Sequence, residues 1–150
     1  GVEATFFTVG DWVKKYPDAV KALHDAGMEI GNHSDTHAHV NKMSYGENLE
    51  DMARCNDKIS MLTGDDVEFY RGPYGEYNNT VISVAEELGM KVIQWDIDTL
   101  DYEGKTPDEI ISTKESNSTP KLGSPSFLNF LAKAPSNPSQ IPAISKHITA

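Results

Sequence analysis

The chain reads as an α/β protein built on a mostly parallel sheet. Four short apolar runs, rich in β-branched and aromatic residues, alternate with amphipathic stretches long enough to be helices. Glycine or proline punctuates nearly every junction between them. Unusual polar residues also follow three of the four runs, at the strand ends where parallel α/β sheets assemble their sites.

The first run, Glu3 to Val9, reads as a buried strand closed by Gly10. Asp11 is placed to cap a helix whose apolar stripe is Trp12, Val13, Val20 and Leu23, with Gly27 as its stop. Met28-Glu29-Ile30 enters the second strand, and Gly31 to His37 follows as a loop. Ser44 and Glu47 form a capping box for a helix carrying Leu49, Met52, Ile59 and Leu62, which Gly64 ends. Val67 to Arg71 is the third strand, running into the turn Gly72-Pro73-Tyr74-Gly75. A helix from about Asn79 to Leu88 stops at Gly89, and Lys91 to Ile97 is the fourth strand. Thr106, Pro107 and Glu109 carry the signature of one more helix start.

Composition bounds the function classes. At 150 residues the chain is one domain's worth and can bury a sizeable core. A net charge of -10 argues against a nucleic-acid partner and against adhesion to anionic membranes. Mean hydropathy is -0.48, and no apolar run approaches the roughly 20 residues needed to span a bilayer. No signal-peptide pattern opens the sequence, and Gly1 stands where a Met would, so localisation is not read from this end. The lone cysteine, Cys55, sits among helical residues and is expected to be a small buried side chain.

Character changes after about Ile111. Residues 112–150 hold five of the eight prolines and eight serines, with four lysines against one glutamate. Apart from the Phe127 to Leu131 cluster no periodicity survives, so a Pro/Ser-rich irregular tail is expected behind a domain at 1–111.

His33 and His37 are the leading candidates for chemistry. Neutral imidazole is the commonest metal ligand, and catalytic zinc is typically held by three protein ligands with a fourth position open. A helical metalloprotease arrangement needs Glu beside the first histidine; Ser34 stands there instead. On spacing alone, two unrelated loop histidines stay open as an alternative. His24 and His39 are expected on the surface. Arg71 alone is compatible with an ordinary arginine before a turn, and Asp96, Asp98 and Asp101 with caps of a turn. Together, an arginine among carboxylates and histidines can hold a carboxylate bidentately. Tyr74 and Trp95 read equally as core aromatics or as platforms for a sugar face.

His33-Ser-Asp-Thr-His37, Arg71-Gly-Pro-Tyr74 and Asp98-Thr-Leu-Asp101-Tyr102 resemble, in order and spacing, three motifs of the polysaccharide deacetylases, the NodB-homology proteins of carbohydrate esterase family 4. Ala4 to Gly10 resembles the segment that follows that family's first motif. The resemblance covers about residues 1–111. It implies a distorted (β/α) barrel, incomplete in this chain, and removal of N-acetyl groups from an N-acetylglucosamine polymer such as peptidoglycan or chitin. It implies a divalent metal, zinc before Co²⁺ or Mn²⁺, on His33, His37 and an aspartate. Arg71 would orient the catalytic base, Asp98 or Asp101 would hold Arg71, the Tyr74 N–H would meet the oxyanion, and Pro73, Tyr74 and Trp95 would line the substrate cleft. An extracellular or cell-surface setting follows from the same resemblance.

Two departures stand out. The family's Thr-Phe-Asp-Asp-Gly motif, source of the third ligand and the base, would fall upstream of Gly1. Its Leu-x-x-His motif finds only a formal near-match at Ile144 to His147, and Tyr102 replaces a usual tryptophan. The expectation is therefore an incomplete copy, from truncation, a frameshift near Ile111 or excision, with impaired activity and exposed sheet edges open to self-association. The alternatives are a non-catalytic glycan-binding remnant, or an unrelated metallohydrolase with Asp35 or Asp96 as third ligand.

Overall fold

The computed structural model describes residues 4–95, with Ile97, Asp98, Thr106, Asp108, Glu109, Ser112, Leu128 and Asn129 beyond them. They fall into two units, one running to Ile93 and the other beginning at Gln94. The first unit opens with β1 (Thr5–Thr8), α1 (Gly10–Lys15), α2 (Pro17–Asp25) and β2 (Glu29–Asn32). It continues with α3 (Tyr45–Thr63), β3 (Phe69–Tyr70), α4 (Asn79–Glu87) and β4 (Lys91–Val92). The strands form one sheet in sequential order β1-β2-β3-β4, every pairing parallel, as the alternation predicts.

Several local signals act as expected. Ser44 accepts from the Glu47 N–H while the Glu47 carboxylate accepts from the Ser44 N–H, so the capping box starts α3. Gly27, Gly64 and Gly89 take positive φ at the helix ends, the conformation that costs a residue without Cβ least. Thr106 and Glu109 make the same reciprocal cap farther along.

Two expectations need correction. The single helix after β1 is two, because Pro17 begins a new one; Asp11 lies in the first turn of α1, whose N-cap is Val9. The strands are also shorter than the apolar runs. The fourth run divides: Lys91–Val92 belongs to the main sheet, whereas β5 (Ile97–Asp98) pairs in parallel with β6 (Leu128–Asn129) in the second unit. A strand thus forms inside the Phe127 to Leu131 cluster; the rest of residues 113–150 lies outside the described residues.

The core of the first unit joins the helices to one face of the sheet. Val13, Val20 and Leu23 meet Ile30, Met52, Cys55, Ile59, Tyr70, Val84 and Met90, all buried. Cys55 is fully buried, as expected. On α3 the positions 52, 55 and 59 recur at helical spacing, and Asn48 and Asp51 are buried beside them although polar.

Register aligns the C-terminal strand ends. Thr8 pairs with Asn32, Asn32 with Tyr70, and Tyr70 with Val92. The residues next in sequence, His33 and Arg71, therefore leave the sheet side by side.

Candidate metal and catalytic site

His33 follows β2 directly and is tied to both neighbouring strands. Its N–H donates to the Thr8 carbonyl at 3.0 Å, and its ring Nδ1 lies 2.6 Å from the Arg71 carbonyl. A carbonyl only accepts, so Nδ1 carries the proton and Nε2 keeps its lone pair. Burial pulls the His33 pKa down to about 4, against a raising effect of the Arg71 carbonyl; nearby His37 and Arg71 lower it further. The ring is thus neutral at pH 7.

The chain then turns sharply. Ser34 and His37 both adopt positive φ, 71° and 60°. The His37 N–H donates to the Ser34 Oγ at 3.2 Å, and the two imidazole centroids stand 5.1 Å apart, edge to face. The donor set, two close imidazoles with one lone pair fixed in direction, fits a divalent cation.

The turn after β3 completes the described part of the site. Gly72 is obligatory, since a Cβ there would meet the Glu76 carbonyl at 2.0 Å. Gly75 and Glu76 donate to the Gly72 and Pro73 carbonyls, closing a tight turn with Tyr74 at φ 58°. Tyr74 is 61% exposed, and its ring packs edge-on against His37, 4.8 Å between centroids, and flat on His39 at 4.3 Å. Pro73 is buried, so it shapes the turn. Arg71 is buried too, its guanidinium 4.1 Å from the Phe7 ring centroid, and burial lowers its pKa.

His33, His37, Arg71, Pro73 and Tyr74 are therefore brought together at one sheet edge, as the sequence predicts. Trp95 is half-buried in the second unit, Asp98 lies on β5, and Asp96 and Asp101 lie outside the described residues. Among the described residues no group of three His, Cys, Asp or Glu could hold a metal. The Asp35 carboxylate, one proposed third ligand, is committed elsewhere: Lys58 Nζ lies 2.5 Å from one oxygen and Arg54 Nε 3.4 Å from the other. That reading is corrected. His24 and His39 are part-exposed, but each is paired, with Asp65 and Glu76 respectively. The contacts of His39 with Tyr74 and Glu76 escape sequence reasoning, because nothing in the spacing links position 39 to the turn after β3.

A parallel sheet with a histidine pair and an arginine turn at its C-terminal edge is the frame of a NodB-type (β/α) barrel, of which these strands make part. Residues 1–93 match the polysaccharide deacetylase family model. A peptidoglycan-N-acetylglucosamine deacetylase of Bacillus cereus is 33% identical over 119 residues, covering 79% of this chain and 43% of that protein. A bifunctional xylanase/xylan deacetylase of Cellvibrio japonicus is 36% identical over 100 residues, 67% of this chain and 15% of that one. Among solved structures, a family 4 carbohydrate esterase from Streptomyces lividans in complex with acetate superposes with a TM-score of 0.78 at 30% identity. That match covers 97% of this chain and 73% of the esterase. A CE4 family pseudoenzyme from Bacillus anthracis gives 0.82 at 28% identity, covering 97% of this chain and 49% of its own.

The chain belongs to the polysaccharide deacetylase family. It spans less than half the length of the two curated relatives described above.

Proposed function

We propose that these residues form part of a metal-dependent hydrolase that removes N-acetyl groups from an N-acetylglucosamine-containing polysaccharide, peptidoglycan or a chitin-like polymer. The observation that carries this is the 2.6 Å bond from His33 Nδ1 to the Arg71 carbonyl, which joins two motif segments and aims a free lone pair beside His37. A divalent ion, zinc before Co²⁺ or Mn²⁺, would be held by His33 and His37 and would supply Lewis acidity toward an acetamide carbonyl. The Tyr74 N–H, in its left-handed turn, would donate to the developing oxyanion. Arg71 would present its guanidinium to the catalytic carboxylate, while a role of Asp98 or Asp101 in holding Arg71 rests on the family resemblance. Tyr74, which is exposed, would contact the sugar; Pro73 is buried and would act by shaping the turn, and a substrate role for Trp95 rests on the family resemblance. Membership of a family whose relatives include peptidoglycan deacetylases supports an extracellular or cell-surface setting. No described helix is long and apolar enough to cross a membrane.

Residues 1–111 would form the deacetylase part and 112–150 a distinct segment. The 150-residue sequence holds no Thr-Phe-Asp-Asp-Gly, so taken alone it should bind metal weakly and release little acetate. Incubation with zinc and a chitin oligomer tests this. Turnover like that of an intact family member would contradict the proposed impairment.

The likeness to a pseudoenzyme supports a second reading, a glycan-binding fold without the chemistry. Metal-independent retention of a sugar oligomer would favour it; loss of retention with a chelator would count against it. Self-association through β1 and β4, the outer strands of this sheet among the described residues, is tested by sedimentation.

A further inference from the structure

We infer that Asp51, about two turns into α3, is a positioning residue for the His33–His37 pair, acting through the backbone between them. The inference rests on the metal reading of that pair. Asp51 is 2% exposed and faces the core side of its helix, next to Met52 and Cys55. A carboxylate is costly to bury unless its oxygens are hydrogen-bonded. Here both are, and both by the histidine loop: Oδ2 accepts the Asp35 N–H at 2.9 Å and Oδ1 accepts the Thr36 hydroxyl at 3.3 Å.

The loop needs such a hold. Ser34 and His37 sit in left-handed backbone, which a residue with a Cβ adopts at a cost, and Asp35 and Thr36 lie between them. The N-terminal side is fixed from several directions. The Asn32 side chain accepts the Ser34 N–H at 2.8 Å and donates to the Met52 carbonyl, while Gly10 and Asp11 at the start of α1 donate to the Ser34 and Asp35 carbonyls. The Asp35 carboxylate is anchored on Lys58 and Arg54 of the same helix as Asp51. Asp51 is the side chain that grips the middle of the turn, at an N–H and a hydroxyl. Without it the turn can relax, and the second imidazole moves relative to the first.

The test is a zinc titration of the full chain, with backbone amide exchange at Asp35 as a metal-free readout. Asp51→Ala should weaken zinc binding by about 10- to 100-fold, the range for residues that orient ligands, and accelerate exchange at Asp35. Asp51→Asn should stay close to wild type, because one amide oxygen still accepts and the amide nitrogen can donate to Thr36. Ile59→Val, a core change on the same helix, should lower stability and leave zinc affinity alone. If Asp51→Ala does not fold, Thr36→Val carries the test: weaker zinc binding and faster Asp35 exchange are expected. Unchanged affinity and exchange in the variant that folds would overturn the inference. Wild type that binds no zinc, together with faster exchange in Asp51→Ala, would refute the metal reading and leave the clamp standing.

Discussion

The Phe7 ring lies between Gly31 and Arg71. The guanidinium carbon stands 4.1 Å from its centroid, and a Cβ added at Gly31 would come within 2.7 Å of two ring carbons. Phe7 and Gly31 are register partners on β1 and β2, so the missing side chain on one strand makes room for the ring on the other. The cation–π contact then sets the floor on which Arg71 rests.

Gly31→Ala should therefore destabilise the fold by about 1–3 kcal/mol, the usual cost of overpacking. Phe7→Leu in the same chain should recover part of that loss, because the two residues meet. Urea unfolding of the two single variants and the double variant measures the coupling. Strict additivity would contradict the contact.

Asn32→Leu should cost more, about 2–4 kcal/mol. It keeps the branched shape but leaves the Ser34 N–H, the Met52 carbonyl and the Asn56 side chain without the partners they have in the fold. A shift in the urea midpoint at constant slope is the expected signature. A midpoint equal to wild type would show that these bonds contribute nothing net.

The frame was legible because its signals are local. Ser44 with Glu47, and Gly64 after Thr63, announce where α3 starts and stops, and both do so by backbone chemistry that tertiary contacts need not rescue. The strand edge carrying His33 and Arg71 followed from alternation alone. The apolar stripe from Val13 to Val20 runs through Pro17 and masks the break there; the ring favours a first helical turn over an interior one, and it starts α2. The clamp from α3 was hidden for another reason. Patterning treats polar helical residues as solvent-facing, yet Asp51 lies four before Cys55 and eight before Ile59, on the apolar stripe itself. A polar residue on that stripe is the available signal. Which groups it meets depends on contacts distant in sequence.

Cys55 gives a pH-dependent prediction. Burial, the largest cause, pushes its thiol up from 9.0 to about 12. The folded state thus holds this proton more tightly than the unfolded state. The resulting stabilisation is fully present below pH 9 and is lost as pH rises from 9 toward 12. Tyr70 is shifted upward for the same leading reason and acts in the same direction. Stability measured by urea should fall across that window, more steeply than in Cys55→Ala. At pH 8 a disulfide thiol reagent should label native protein only as fast as it opens; rapid labelling without unfolding would contradict the burial.

If His33 and His37 are a preformed pair of metal ligands, zinc binding depends on both. Calorimetric titration of the full chain with zinc, beside His33→Ala and His37→Ala, tests it most directly. One weakly bound ion is expected in the wild type, with a loss of at least tenfold in affinity in each variant. Zinc binding that is equal in all three proteins, or absent from the wild type, would contradict it.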